Sequence, residues 1–385
     1  MNKSVIGTHD CFGCGVCSVA CKKNLIDLTV NKDGFYEPIV NIENCTDCGL
    51  CSEICSFKHH EDSFRPVISA YGAWSEDPSV RQSCSSGGVS YDISRYLLGK
   101  GYKVCSVRYN AETNRAEHYI SYTADDLNES KGSKYIQSYP VDAFKCIDLN
   151  EKYLVVGTPC MISSLRRAIK KFRREDNFIL IDFFCHGIPS KLMWDKYIRY
   201  ISKDVGRIQS VSWRNKFSGW HNSWALKITG EKKEITSYWT NGDKFFNLFL
   251  SDSCLNKACY DNCRFKYDNS LADIRIGDAW GKCYQDDEKG VSIAVSYTDR
   301  GDAILHECGC HLEPRPLEDL AEQQMKVCPQ RPGSYDKIIK LLHRDDSTIT
   351  RLYRIIQQRK KREKLRRRMR RIFHVVANAM LKIIR

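Results

Sequence analysis

Two cysteine runs of one spacing dominate the chemistry open to this chain: Cys11-x2-Cys14-x2-Cys17-x3-Cys21 and Cys45-x2-Cys48-x2-Cys51-x3-Cys55. Three thiolates spaced this closely reach one iron–sulfur cubane from a single loop, and the fourth of each run then ligates the other cluster. That reciprocity assigns Cys11, Cys14, Cys17 and Cys55 to one 4Fe–4S cluster, and Cys45, Cys48, Cys51 and Cys21 to a second. Gly15 and Gly49 hold equivalent places in the runs, where the chain must bend closely round inorganic sulfide. Lys22 and Ser56 stand where a proline usually follows the fourth cysteine, a departure that removes no ligand. Eight cysteines in this duplicated pattern outweigh disulfides or structural zinc.

A third group, Cys254-x4-Cys259-x3-Cys263, lacks one ligand for a cubane or a zinc site, and its spacing alone leaves both metals open. Cys185 is the expected fourth ligand, with Cys160 next in line. Both lie in loops shaped by glycine and proline: Gly157-Thr158-Pro159-Cys160 and Cys185-His186-Gly187-Ile188-Pro189. Each loop follows a strand-like run, and ligands of open α/β sheets bind outside the carboxyl ends of the strands. Unreactive buried thiols are the plainer alternative for such lone cysteines. Cys105, Cys146, Cys283, Cys308, Cys310 and Cys328 show no ligand spacing and read as structural. Ser83-Cys84-Ser85-Ser86-Gly87-Gly88-Val89 is a Ser/Gly turn entering a helix, which offers free N–H groups to a phosphate or a flavin ring. An ordinary helix cap explains the same residues equally well.

The elements that must hold these groups are legible in part. Leu28 to Val30 and Phe35 to Ile39 flank Asn31-Lys32-Asp33-Gly34 and predict a hairpin between the cysteine runs. Residues 56 to 66 are polar and end in Pro66, as a linker would. Val67 to Trp74 is apolar, and Tyr91 to Leu98 is helix-like. Tyr153 to Val156, Met161 to Phe172 and Phe178 to Phe184 predict a right-handed βαβ unit with parallel strands. Ser190 begins a further helix, Val291 to Tyr297 a strand, and Asp302 to Glu307 the start of a helix. Three regions follow: residues 1–60, 66–313 and a helical, basic tail at 314–385.

Twenty cysteines in 385 residues, behind an N-terminus without an apolar signal core, fit a reducing cytoplasm and metal ligation better than secretion. No apolar stretch approaches the roughly 20 residues of a spanning helix. Of the net charge of +13, +11 sits in residues 359–385, which hold twelve Lys/Arg against one Glu. The body therefore needs no nucleic acid to explain its charge, and the tail arginines lack the interleaved aromatics of a base-stacking surface. Leu365, Met369, Ile372, Val376, Ala379 and Ile383 fall on one face of a tail helix. The pattern fits either a helix docked on protein or one lying on the inner face of a membrane.

Ser85-Ser86-Gly87-Gly88, Lys131-Gly132-Ser133-Lys134-Tyr135, Gly157-Thr158-Pro159-Cys160, Cys185-His186-Gly187 and Ile276-Gly277-Asp278-x2-Gly281 occur in a recognisable order. Behind an N-terminal two-cluster ferredoxin-type unit, this set resembles the coenzyme F420 hydrogenase/dehydrogenase beta-subunit family over roughly residues 1 to 310. The resemblance implies an FAD-dependent oxidoreductase with a further 4Fe–4S cluster in the flavin domain. It also implies a protein electron donor or acceptor and a small-molecule substrate, a deazaflavin in some members. Other relatives resemble pigment reductases or accompany surface-polysaccharide synthesis. Carried over by motif, Ser86, Gly87, Gly88, Lys131, Ser133, Lys134, Gly157 and Thr158 become flavin or substrate contacts. Cys259-Tyr260-Asp261-Asn262-Cys263 departs from the family's Cys-Tyr-x-Cys by one extra residue.

The expectation is thus an α+β ferredoxin-like module, an α/β flavin domain with a partly parallel sheet, and a helical basic tail. Electrons would pass singly through clusters and in pairs at the flavin. A non-catalytic electron-relay subunit is the alternative.

Overall fold

The computed structural model describes residues 4–59 and 63–383, with side chains as far as Arg370. Its strands are β1 (Ile26–Val30), β2 (Tyr36–Val40), β3 (Ser69–Ser75), β4 (Lys103–Asn110), β5 (Arg115–Ser121), β6 (Ser138–Tyr139) and β7 (Tyr153–Val156). They continue with β8 (Phe178–Phe183), β9 (Ile208–Ser212), β10 (Ala225–Gly230), β11 (Glu234–Tyr238), β12 (Ile274–Asp278), β13 (Ser292–Ser296) and β14 (Cys310–Pro314). The helices are α1 (Val16–Ala20), α2 (Leu50–Glu53), α3 (Pro78–Ser83), α4 (Val89–Gly99), α5 (Val141–Lys145), α6 (Pro159–Lys171) and α7 (Lys191–Val205). After them come α8 (Lys244–Phe249), α9 (Lys257–Asp261), α10 (Asp299–Glu307), α11 (Leu317–Leu320), α12 (Tyr335–His343) and α13 (Ile349–Ile383).

The frame is a nine-stranded sheet in the order β14-β3-β13-β12-β8-β7-β4-β5-β6. Its centre, β12-β8-β7-β4, is parallel, and antiparallel strands flank it on both sides. The architecture is mixed α/β. The predicted βαβ unit is present as β7, α6 and β8, with Val155 paired to Leu180. Leu154, Val155, Ile179, Leu180 and Ile181 are fully buried, as a strand covered on both faces requires. Helices α4 and α10 cover one face through Ile93, Leu97, Ile304 and Leu305. Helix α6 covers the other through Met161, Ile162, Leu165 and Ile169, where Val16 and Ile54 of the cysteine-run module join the same core.

The predicted hairpin forms as β1 and β2 in antiparallel register. Asn31 closes its turn, its Oδ1 accepting from the N–H groups of Asp33 and Phe35, while Gly34 takes φ 86°. This turn is held from far along the chain. Ser190 Oγ donates to Asp33 O at 2.6 Å, Lys191 N donates to Gly34 O at 2.8 Å, and His343 Nε2 lies 2.8 Å from Asp33 Oδ1.

A second core joins α7 to the three-stranded sheet β11-β10-β9, α8, α12 and the first turns of α13. Here the structure departs from the expected tail: Ile338, Leu342, Leu352 and Ile356 are buried with Trp194, Trp213 and Phe245. Exposure is continuous only over residues 361–370. The expected apolar face from Ile372 to Ile383 lies outside the described side chains. Among the described residues, no helix is long and apolar enough to cross a membrane.

Candidate functional site

The cysteine runs end in two short helices, α1 carrying Cys17 and α2 carrying Cys51. Each begins at a glycine in the left-handed region, Gly15 at φ 70° and Gly49 at φ 80°, which is why glycine holds both places. Burial pushes the Cys11 thiol up to about 12, with Cys14 and Cys55 adding to it. Burial raises Cys14 to about 11, helped by Cys55, and raises Cys17 further, helped by Cys14, Cys55 and Cys11. These four thiols are one another's electrostatic neighbours, the reciprocal set expected from spacing. Cys51 is likewise raised by burial, with Cys48 and Cys21 contributing. Thiols this far from water ionise only against a positive partner, and iron supplies one. The donor set therefore fits clusters. Among the described residues, no three His, Cys, Asp or Glu side chains converge on one point as ligands of a single ion do. A cubane instead spreads its thiolates over the corners of a cluster.

Helix α6 ties this module to the sheet. Ser164 Oγ accepts from Ser56 N at 3.0 Å and from the Cys14 thiol at 3.6 Å, while Ser56 Oγ donates to Cys160 O at 2.9 Å. From the other side Gln137 Nε2 donates to Phe12 O at 3.2 Å, and its Oε1 accepts from Tyr36 N at 3.2 Å.

Outside the carboxyl ends of the parallel strands lies a cavity of about 930 Å³, at the upper end of the roughly 300–1,000 Å³ usual for cofactor sites. Ser86, Gly88, Lys131, Ser133, Lys134, Gly157 and Thr158 all line it, and so do Phe12, Gly13 and Cys14. Gly87 does not. Its N–H donates to Ser292 Oγ at 2.9 Å, and a Cβ there would collide with Ala73 O, so it is a packing glycine and not a cofactor contact. Gly88, at φ 91°, opens α4. Lys131 Nζ lies 4.4 Å from the centre of the Tyr91 ring. Lys134 Nζ donates to Glu129 O at 2.9 Å and to Lys131 O at 3.0 Å. Burial lowers Lys134 to about 7, against the pull of Cys84 and Glu129. Thr158 makes no side-chain cap to α6, so N–H groups at the start of that helix remain for a ligand.

Sequence reasoning missed several groups in this cavity. His118 is 4% exposed; its Nε2 lies 3.2 Å from Val156 O, and its Nδ1 has no partner. Because a carbonyl only accepts, Nε2 carries the proton and Nδ1 is left as an acceptor. Burial lowers His118 to about 4, so it stays neutral. Trp224, Trp239, Trp280 and Phe249 add an aromatic lining to the same cavity. Between two of them lies Arg214, 4.7 Å from the Trp224 ring and 5.1 Å from the Trp280 ring. Arg214 donates to Asp278 Oδ2 at 3.1 Å and to the Tyr135 hydroxyl at 3.0 Å; burial opposes its charge, but Asp278 and Tyr135 together outweigh it and keep Arg214 charged. No spacing rule joins residues 135, 214, 224 and 278, because folding alone assembles them.

The third cysteine group is brought together only in part. Burial pushes Cys259 up to about 12, with Cys185 and then Cys263 among its neighbours. Burial raises Cys185 too, Lys266 opposing and Cys263 adding. Ile188 N donates to Cys259 Sγ at 3.4 Å, which ties the Cys185 loop to α9. Lys266 Nζ donates to Cys185 O at 2.6 Å and His186 O at 3.1 Å, placing a positive charge among these sulfurs. Cys160 is buried, with Cys185, Cys14 and Cys259 as its electrostatic neighbours. Cys254 stands apart. It is fully buried in the α7 core, with its thiol 3.3 Å from Met193 Sδ and only Asp252 as a charged neighbour besides backbone. Spacing put Cys254 with Cys259, but the turn before α9 sends it inward. Cys328, expected to be structural, lies against Cys263 instead, its thiol donating to Cys263 O at 2.7 Å.

Residues 70–144 match the N-terminal part, and residues 150–318 the C-terminal part, of the coenzyme F420 hydrogenase/dehydrogenase beta subunit. The chain belongs to the coenzyme F420 hydrogenase/dehydrogenase beta-subunit family. Residues 10–59 match a 4Fe-4S dicluster domain, which makes this an iron–sulfur member of the family. Coenzyme F420 hydrogenase subunit beta from Methanococcus voltae is 25% identical over 252 residues, covering 60% of this chain and 82% of that protein. The coenzyme F420-dependent sulfite reductase of Methanocaldococcus jannaschii is 24% identical over 345 residues. That match covers 84% of this chain and 50% of the reductase. A chain of the F420-reducing NiFe hydrogenase complex from Methanosarcina barkeri, in a xenon derivative, aligns with a TM-score of 0.45 and 17% identity. The alignment covers 77% of this chain and 94% of that one.

Proposed function

We propose that the chain is an iron–sulfur flavoprotein oxidoreductase, moving electrons between its clusters and an acceptor held in the large cavity. One observation carries this reading: Phe12, Gly13 and Cys14 of the first cysteine run wall the same cavity as Lys131, Lys134, Gly157 and Thr158. A bound FAD would exchange electrons singly with clusters and in pairs with an organic acceptor.

The chain's own residues fit that role. Lys131, Lys134 and the N-terminus of α6 bind a pyrophosphate. His118 Nδ1 accepts a hydrogen bond from a ribityl or ribose hydroxyl. Trp224, Trp239 and Phe249 hold a flat ring and keep water off it. The N-terminal module carries two 4Fe–4S clusters, and a third lies beyond the cavity around Cys185, Cys259 and Cys263. The names of the curated relatives make a deazaflavin the first acceptor to try.

Anaerobic purification with iron, sulfide and flavin quantified together tests the reading. Flavin and sulfide in the same preparation are expected, and clusters without flavin would sink the flavoprotein assignment. The curated relative named as a hydrogenase subunit favours the second reading, an electron-relay subunit serving a partner enzyme. Turnover of a small acceptor by the chain alone separates the two. The exposed basic stretch 361–370 suits attachment to an anionic inner leaflet, where a reductase of envelope-polysaccharide synthesis would work.

A further inference from the structure

Cys328 lies ten residues beyond the end of the matched family segment at residue 318, and no motif in the sequence includes it. In the fold it returns to the third cysteine group. Its thiol is 2.7 Å from Cys263 O, and its electrostatic neighbours are Cys263, Lys266 and Cys259. The departure in this group is local to the same point, since Cys259-x3-Cys263 carries one residue more than the family's Cys-Tyr-x-Cys. An added residue displaces Cys263 along the chain relative to Cys259, and Cys328 stands beside the displaced side chain.

We propose that Cys328 completes a four-thiolate iron–sulfur site with Cys185, Cys259 and Cys263. The assignment rests on the reading that a third cluster exists. Each thiol gives up its proton as its sulfur–iron bond forms. Lys266, anchored on Cys185 O and His186 O, offsets part of the negative charge that four thiolates bring. Cys254 is excluded by its place in the α7 core. Cys160 has Cys185, Cys14 and Cys259 as electrostatic neighbours and its thiol lies 3.3 Å from the Thr158 hydroxyl, so it is the rival ligand that the test separates from Cys328. Cys328 sits in a partly exposed segment beside Val327, which is 75% exposed, so replacing it disturbs no core.

The test uses the full-length protein, reconstituted anaerobically with iron and sulfide and studied by iron counting, electron paramagnetic resonance and redox titration. Cys328→Ser should lose one cluster, about four irons per chain, or shift that cluster's signal and potential, while the N-terminal signals persist as a folding control. Cys328→Asp, which keeps an anionic ligand, should retain the iron with an altered signal. Cys254→Ser should leave the cluster count unchanged. Two clusters in the unsubstituted protein would remove the third-cluster reading itself. Three clusters, with Cys328→Ser unchanged in iron, signal and potential and Cys160→Ser short of one cluster, would leave that reading standing and overturn Cys328 as the ligand.

Discussion

Asp182 and Arg275 are register partners on the parallel strands β8 and β12, joined by two hydrogen bonds of 2.7 Å, with neither side chain exposed. Ser270 Oγ adds a third bond to Asp182, and Arg275 also donates to Tyr267 O and Asn269 O. The pair therefore binds the segment after Cys263 to β8, the strand that leads into Cys185. Removing one partner leaves the other charge buried and uncompensated, which costs on the order of 3–5 kcal/mol. Arg275→Met should lower the urea midpoint accordingly and reduce iron at the third site, whereas Arg207→Met, at an exposed surface pair, should do neither. Equal effects from the two would mean that burial of the Asp182 pair does not matter.

Lys134 gives two pH trends of opposite sign. Burial lowers it to about 7 in the folded protein, while an unfolded lysine titrates near 10.4. Between those values the unfolded chain binds more protons, so the stability of the ligand-free protein should rise with pH across that window. A phosphate-bearing ligand prefers the charged ammonium, so affinity for ADP or FAD should fall as pH climbs through about 7. One lost charge-assisted hydrogen bond is worth roughly tenfold or more in Kd. Lys134→Gln should flatten both curves, and calorimetry at pH 6 and 8 reads the second.

Gly87 and Gly88 separate packing from binding. A methyl at Gly87 collides with Ala73 O, and Gly88 needs φ 91°, so Gly87→Ala and Gly88→Ala should each destabilise the protein by about 1 kcal/mol or more. Only the Gly88 change should also lower flavin content in folded protein, because Gly87 does not face the cavity.

Cys14→Ser should remove or cripple one N-terminal cluster while the sheet domain stays folded. Among the described residues, its thiol's side-chain hydrogen bond outside the cysteine runs goes to Ser164. Far-ultraviolet circular dichroism with an iron count reads both halves of the expectation.

A chain ending at Lys360 keeps the contacts of Arg359 with Ser334 and Ser251, and of Lys360 with Asn247. Full-length protein should float with anionic vesicles and be released by salt, and the shortened chain should stay behind. Equal flotation would remove the basic helix from the membrane argument.

The parts legible in the sequence are those in which one short segment carries its whole signal. Both cysteine runs, the βαβ unit from Tyr153 to Phe183 and the Asn31–Gly34 turn all fit that description. What stayed hidden is assembled from distant segments. Cys328 reaches Cys263 across 65 residues, and Arg214 reaches Tyr135 across 79. Cys254 misled because spacing reports how far apart two thiols can be and not which way the backbone turns between them. The core contribution of the segment after Pro314 stayed hidden because its buried stripe, Ile338, Leu342, Leu352 and Ile356, is thinly spread among charges.

The contact between Asp33 and His343 joins residues 310 positions apart. At roughly 5–20 residues per second, about 15–60 s of synthesis separate them. The iron–sulfur module is made long before this contact can form. The turn between the cysteine runs stays without this contact throughout that interval, while α6 and its Ser164 contact to Cys14 are made much earlier. Iron and sulfide can be delivered to a half-built protein, and oxygen can reach the same thiols.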